Sequence, residues 1–198
     1  MSIWQKREIP ESELISGCIE GKRTHQEFLY RKYSPVMFAI CLRYSGDYHF
    51  AEDLLQEGFL KVFQNISQYR NAGSFEGWMK RVFINHSIEV LRKRVVLNET
   101  KDIEPLSWQF SHDPIMPQLH AADLIKMIQS LPTGYRTIFN LYVVEGYAHN
   151  EIGDMLGISE GTSKSQLSRA RVHLQKMIEQ SEKLPSPEKS FPYEPSFG

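Results

Sequence analysis

Cysteine is scarce. The chain has two, Cys18 and Cys41, with no CxxC spacing and no histidine placed to share a metal with them. That argues against a disulfide framework and against a zinc site; two small buried hydrophobes in a reducing compartment account for both residues. Long apolar runs are also missing. No uncharged stretch approaches the roughly 20 residues that span a bilayer. Residues 1–13, MSIWQKREIPESE, carry charges where a secretory signal is apolar. A cytoplasmic location without membrane insertion is expected. Nor is there an excess of one charge, since 23 Lys and Arg face 24 Asp and Glu for a formal net charge of −1. Ser/His/Asp sets, phosphate-cradling glycine loops and metal clusters are absent, and the seven histidines are scattered. An enzyme is therefore not expected, and neither a metal nor any other cofactor.

What the chain has is apolar residues at helical spacing. Its 198 residues, 41% of them hydrophobic, suffice for one domain or two small ones with real cores. Proline and glycine divide it into two helical blocks. In the first, over residues 12–94, Phe28/Leu29, Tyr33, Val36/Met37 and Ile40/Cys41 recur at helical intervals, with Pro35 placed to kink the segment or to stand near a helix start. A turn at Ser45, Gly46 and Asp47 precedes a helix from about Phe50 to Asn65, whose core stripe is Ala51, Leu55, Phe59, Val62 and Ile66. Ser74 is placed to cap a third helix that ends at Arg92, Lys93 and Arg94. From 95 to 118 the pattern dissolves around Pro105, Pro114 and Pro117, and this stretch is expected to be a flexible linker. The second block, 119–180, holds four helices. Leu124, Ile125, Ile128 and Leu131 define the first, Pro132 starts the next, and Gly146 ends it before a helix-turn-helix. The tail, 181–198, with four prolines and no periodicity, is expected to be disordered. The fold class is all-α and bipartite.

The net charge hides a division that matters for nucleic acid, because the local field decides binding. Residues 22–94 carry twelve Lys and Arg against seven Asp and Glu, whereas 99–113 carry four acids and one lysine. Three stretches carry chemistry. Residues 157–178, GISEGTSKSQLSRARVHLQKMI, read as the second half of the helix-turn-helix. Gly157 takes the left-handed turn; Ile152, Leu156 and Ile158 pin the helices, with Leu167 and Val172 on the inner face. Ser159 or Glu160 caps a helix that leads with Thr162, Ser163, Lys164, Ser165 and Gln166, short or polar groups suited to base edges. Arg169 and Arg171 follow for phosphates. Residues 51–63, AEDLLQEGFLKVF, place Asp53, Glu57, Leu60 and Gln64 opposite the core stripe with Gln56 beside them, a face that could dock an arginine-rich partner helix. Residues 68–94 interleave Tyr69, Phe75, Trp78 and Phe83 with Arg70, Lys80, Arg81 and Arg92, the pairing that stacks unpaired bases and holds a single strand.

In this order the three stretches resemble the extracytoplasmic-function (ECF) class of bacterial RNA polymerase sigma factors. AEDLLQEGFLKVF is similar to the polymerase-binding helix, and SFEGWMKRVFINHSIEVLRKR to the helix that melts and reads the −10 element. LPTGYRTIFNLYVVEGY followed by EIGDMLGISEGTSKSQLSRAR is similar to the −35-reading domain. The resemblance implies core polymerase (its β′ and β subunits) and promoter DNA as partners. An anti-sigma protein is a further partner common in the class, though no residue identifies one. It implies that Asp53, Gln56, Glu57 and Leu60 face the polymerase. The loop 65–73, with Asn65, Tyr69, Arg70 and Asn71, would form the pocket for a flipped −10 base. Phe75, Trp78, Lys80, Arg81, Asn85 and Arg92 would lie near the melted strand. Glu160, Thr162, Lys164, Ser165 and Gln166 would meet the −35 groove, with Arg136, Arg169 and Arg171 on the backbone. Three residues depart from the class: Gly153 where Ala is usual, Ser163 where Val is commoner, and Gln166 where Arg is frequent. The rival reading is a helix-turn-helix regulator that binds duplex DNA without polymerase.

Overall fold

The structure, a computed structural model, describes residues 9–98 and 121–183. Among these residues are eight α-helices and no strand. Most of the expected linker and all but the first three residues of the expected tail lie outside the described residues.

The first block is built from α1 (Glu11–Ile19), α2 (Arg23–Ser45), α3 (Tyr48–Asn65) and α4 (Phe75–Asn98). Helix α1 buries Leu14 and Cys18, and Tyr33 of α2 ties it down by donating to the Glu11 carboxylate. Pro35 lies inside α2 on an exposed position, so its missing N–H leaves one solvent-side carbonyl without an intrahelical donor. Gly46, at φ +81°, ends α2 in the left-handed conformation that a Cβ disfavours. Asp47 then caps α3 by accepting from the Phe50 amide at 2.7 Å. The stripe expected for α3 is buried throughout, together with Leu54. Ser74 accepts from the Gly77 amide at 3.1 Å and starts α4. That helix runs on to Asn98, past the basic cluster expected to end it, because no Gly or Pro intervenes before Pro105.

The second block contains α5 (Ala121–Ser130), α6 (Thr133–Phe139), α7 (His149–Leu156) and α8 (Glu160–Lys183). After α6 the chain widens into a π-helical turn, Asn140–Val144, that carries it to the break at Gly146. Ile128, Leu131, Tyr135, Ala170 and Leu174 form a small core of their own. Leu124 and Ile125, expected to join that core, are 40% and 38% exposed; their periodicity is helical, but among the described residues no element covers them. The blocks are not separate bodies. Ile138, Leu141, Ile152 and Leu167 belong to the same buried cluster as the core of α2, α3 and α4.

Helices α3 and α4 meet at Gly58. A Cβ there would lie 2.2 Å from the ring of Phe83, which is fully buried and has no space to retreat. Gly58→Ala gains about 1 kcal/mol of helix propensity, against an overpacking cost of about 1–3 kcal/mol. With a clash this short the cost prevails, and thermal or urea unfolding should show a less stable chain.

Candidate nucleic-acid interface

The core stripe of α3 turns its opposite face outward. Asp53, Gln56, Glu57 and Leu60 are all exposed, and Leu60 leaves 59% of its surface in solvent beside these polar groups. A group beneath this face was not anticipated. His86 of α4 is 4% exposed, and its Nε2 lies 3.0 Å from the Glu57 carboxylate. Burial, with Lys61 nearby, pushes the imidazole below its ordinary pKa against the opposing pull of Glu57. Lys61 and Lys93 both bind Glu89, at 2.8 and 2.7 Å, and hold its carboxyl near about 2.

Beyond α3 the chain makes a tight loop. Asn65 donates to the Lys61 carbonyl at 2.8 Å and accepts from Gln68 Nε2 at 2.9 Å, which continues the helix end into a short 3-10 turn, Ile66–Gln68. Asn71 at φ +54° and Gly73 at φ +112° turn the loop back, and the Tyr69 hydroxyl closes it by donating to the Gly73 carbonyl at 2.7 Å. The result is a pocket of 360 Å³ lined by Tyr69, Arg70, Gly73, Ser74, Trp78 and Arg81, among others. Its size falls within the range of small-ligand sites. Trp78 stacks on Phe75 with centroids 5.6 Å apart at 20°, and Tyr69 meets both rings. The residues expected at a single strand are thereby sorted. Tyr69, Arg70, Trp78 and Arg81 converge on the pocket, with Asn65 and Asn71 in the loop that shapes it. Phe75 is fully buried, so it supports Trp78 from below and meets no strand itself. Lys80 is paired with Glu76 at 2.7 Å. Asn85 and Arg92 sit further along α4, in a separate cleft that Met155 of α7 lines from the other block.

The helix-turn-helix is α7, a turn at Gly157 (φ +70°) and α8. The amides of Gly157 and Ile158 both donate to the Gly153 carbonyl, at 2.8 and 3.0 Å. A Cβ on Gly153 would come within 2.8 Å of the Ile158 carbonyl oxygen, so this tight turn suits glycine where alanine is usual in the class. Ser159 caps α8, accepting from the Thr162 amide at 3.0 Å. Ser163, Leu167, Ala170 and Leu174 form the buried face of α8. Ser163 is the polar member of that face because His149, at the start of α7, meets its hydroxyl at 2.9 Å and stacks on Tyr142. Glu160, Lys164, Ser165 and Arg171 are exposed; Glu160 and Lys164 pair at 2.6 Å. Thr162, Gln166 and Arg169 are half-buried, and Gln166 leans on Gly134, its Oε1 3.0 Å from where a Cβ would stand. Arg136 is elsewhere. It is 5% exposed and its guanidinium is used up on main-chain carbonyls, so in this arrangement it faces no DNA.

Among the described residues no cluster of His, Cys, Asp and Glu could hold a metal, and no helix is long and apolar enough to cross a membrane. The family profile described as sigma-70 region 2 matches residues 29–95, and that described as sigma-70, region 4 matches residues 121–174. The chain is 33% identical over 151 residues to the ECF RNA polymerase sigma factor SigE of Mycolicibacterium smegmatis, across 74% of this chain and 58% of that protein. It thus spans little more than half of that relative's length. To the ECF RNA polymerase sigma factor SigW of Bacillus subtilis it is 30% identical over 158 residues, across 74% of this chain and 84% of the relative. Among solved structures it aligns with the sigma factor RpoE from Bartonella quintana, in complex with the anti-sigma factor NepR. That alignment has a TM-score of 0.48 and 22% identity over 77% of this chain and 96% of the other.

If the pocket stacks an unpaired base, Trp78→Ala should weaken binding of a single-stranded oligonucleotide by about 1–3 kcal/mol. Trp78→Phe, which keeps a ring over Phe75, should retain most of the affinity. Fluorescence anisotropy reads both, with circular dichroism checking that α4 is intact.

Proposed function

Given that the chain belongs to the extracytoplasmic-function class of bacterial RNA polymerase sigma factors, we propose that it binds core RNA polymerase, directs it to two-part promoters and helps open them. The observation that carries this reading is the presence, on one chain and in this order, of three unsatisfied surfaces. They are an α3 face with an exposed leucine one turn beyond two carboxylates, an aromatic and arginine-lined pocket, and a capped recognition helix.

Asp53, Gln56, Glu57 and Leu60 would dock on the polymerase β′ subunit. The pocket at Tyr69, Arg70, Trp78 and Arg81 would take a base extruded from the −10 element. Asn85 and Arg92 would then hold the strand beyond it. Melting costs about 1.4 kcal/mol per base-pair step, and each captured base returns roughly 1–3 kcal/mol by stacking, so a few captured bases can stabilise a short bubble. Helix α8 would place Thr162, Lys164 and Ser165 at the −35 groove, its N-terminal dipole favouring phosphate. Gln166, where the class often has arginine, would shift preference from G toward A. Arg169 and Arg171 would hold the backbone. Chemistry on RNA belongs to the polymerase; this chain contributes binding, and its place of work is the cytoplasm. The stand-alone regulator reading leaves the α3 face without a partner.

The deciding experiment is run-off transcription with purified core polymerase and this chain on a diverse promoter library. Promoter-specific transcripts are expected; their absence sinks the proposal. In the same assay the pair Asp53→Arg and Glu57→Arg should abolish polymerase capture while leaving duplex binding through α8 unchanged. Substituting Lys164 or Gln166 should alter −35 preference, whereas Arg171→Ala should weaken all sequences alike and reduce the salt slope by about one. Unchanged preference in the Lys164 and Gln166 variants would show that another face of α8 reads the groove.

A further inference from the structure

His86 is a buried ionisable group that helix packing alone does not require. It stands on α4 where α3 covers it, 4% exposed. A buried imidazole must bond its N–H or bear the cost of leaving it unpaired. Nδ1 has no hydrogen-bond partner among the described residues, and Nε2 approaches Glu57 Oε2 at 3.0 Å without being aligned on it. The acceptor within reach of the ring is therefore Glu57, whose side chain is 58% exposed and can turn to meet it.

Glu57 in turn has His86 beneath it and no lysine beside it. Lys61 stands one turn further along α3, the ordinary spacing for an ion pair with Glu57. It crosses instead to Glu89 of α4 at 2.8 Å, and Lys93 binds the same carboxylate at 2.7 Å. A glutamate left alone on a docking face samples several rotamers, and association must order it. A contact from below at one carboxylate oxygen supplies part of that order before a partner arrives.

We infer that His86 is a positioning residue of the α3 docking face: neutral, it steers the Glu57 carboxylate toward a cationic partner helix, and protonated, it cancels the charge that carboxylate presents. The partner's identity rests on the function proposed above; the coupling of His86 to Glu57 belongs to the free chain.

The charge state follows from the groups around the ring. Burial, then Lys61 of α3, push the imidazole below its ordinary pKa, while Glu57 of α3 and Glu89 of α4 oppose them. Around neutrality the ring is uncharged and Glu57 keeps its full negative charge. A partner arginine beside Glu57 disfavours the imidazolium further, so docking expels a proton wherever the free chain holds one. Affinity is then level above the free-chain pKa and declines as pH falls below it, by at most about tenfold per pH unit for one proton.

The test is binding of the full-length chain to core polymerase, read by fluorescence anisotropy from about pH 7.5 to about pH 5.5, with circular dichroism at each pH to establish that the chain is folded. The wild type should lose affinity toward the acid end. His86→Leu, which fills the space without a donor, should bind about two- to tenfold more weakly at neutral pH, the ordering cost of one side chain. His86→Gln, which keeps a donor and cannot be charged, should recover most of that loss and lack the acid-side decline. Other histidines, such as His49 beside Glu52, titrate alike in all three chains and cancel. His86→Gln with the wild-type decline, or His86→Leu with wild-type affinity, overturns the inference.

A second measurement does not depend on how α4 tolerates leucine. Nuclear magnetic resonance titration of the His86 ring in the free chain should give a lower pKa in Glu57→Gln, a change at an exposed position, than in the wild type. An unchanged pKa overturns the coupling. A wild-type chain that polymerase captures at no pH counts against the polymerase reading, and the ring titration still decides the His86–Glu57 pair.

Discussion

The carbonyls at the end of α2 must be satisfied, and the second block satisfies them. Water could do so at a surface helix end, but here Tyr44 and Ser45 are buried, and buried main-chain acceptors without donors cost free energy comparable to a lost hydrogen bond. Arg136 supplies donors to both blocks at once. Once it is seated, α6 lies along α2, Ile138 and Leu141 enter the first block's core, and the helix-turn-helix is brought against α4. That guanidinium acts together with Gln129, Asn140, the Arg43–Glu145 pair and the shared apolar cluster. Burial lowers its pKa, while Asp47 and the carbonyls around it favour the charged form.

The three candidate surfaces differ in how far they are built in the isolated chain. The loop pocket is fully formed, because Tyr69, Asn65 and Gln68 bond within the loop and Phe75 supports Trp78 from the core. The α3 face is rigid but bare, its carboxylates and leucine held by a helix whose opposite side is buried. Helix α8 is capped and packed, and Lys164 is tied to Glu160 in a solvent-exposed pair that breaks at little cost.

Much of this was legible because helical period and punctuation are local. The stripe from Ala51 to Ile66, the turns at Gly46 and Gly157, and the caps at Ser74 and Ser159 each depend on residues within one or two turns of one another. Other features depend on distant partners. An arginine on a short helix reads as surface until the α2 carbonyls, some ninety residues upstream, are seen around it. Ser163 reads as exposed until His149 is seen beside it. Aromatics mixed with cations over 68–94 could not be sorted into pocket wall and core, which is why Phe75 appeared beside Trp78 as a strand contact and proved to be its support. Leu124 and Ile125 show the converse, since an apolar period tells that a helix forms and not whether anything covers it.

By itself the sequence determined the helices, their turns and the family, because each of these is encoded in spacings shorter than a helix. The tertiary structure alone decided that the two halves share a core, that Arg136 bonds to carbonyls of both, and that the far half of α4 shares a cleft with Met155 of α7. Those outcomes turn on which acceptor meets which donor, and the pairs that meet are separated by as many as 102 positions along the chain.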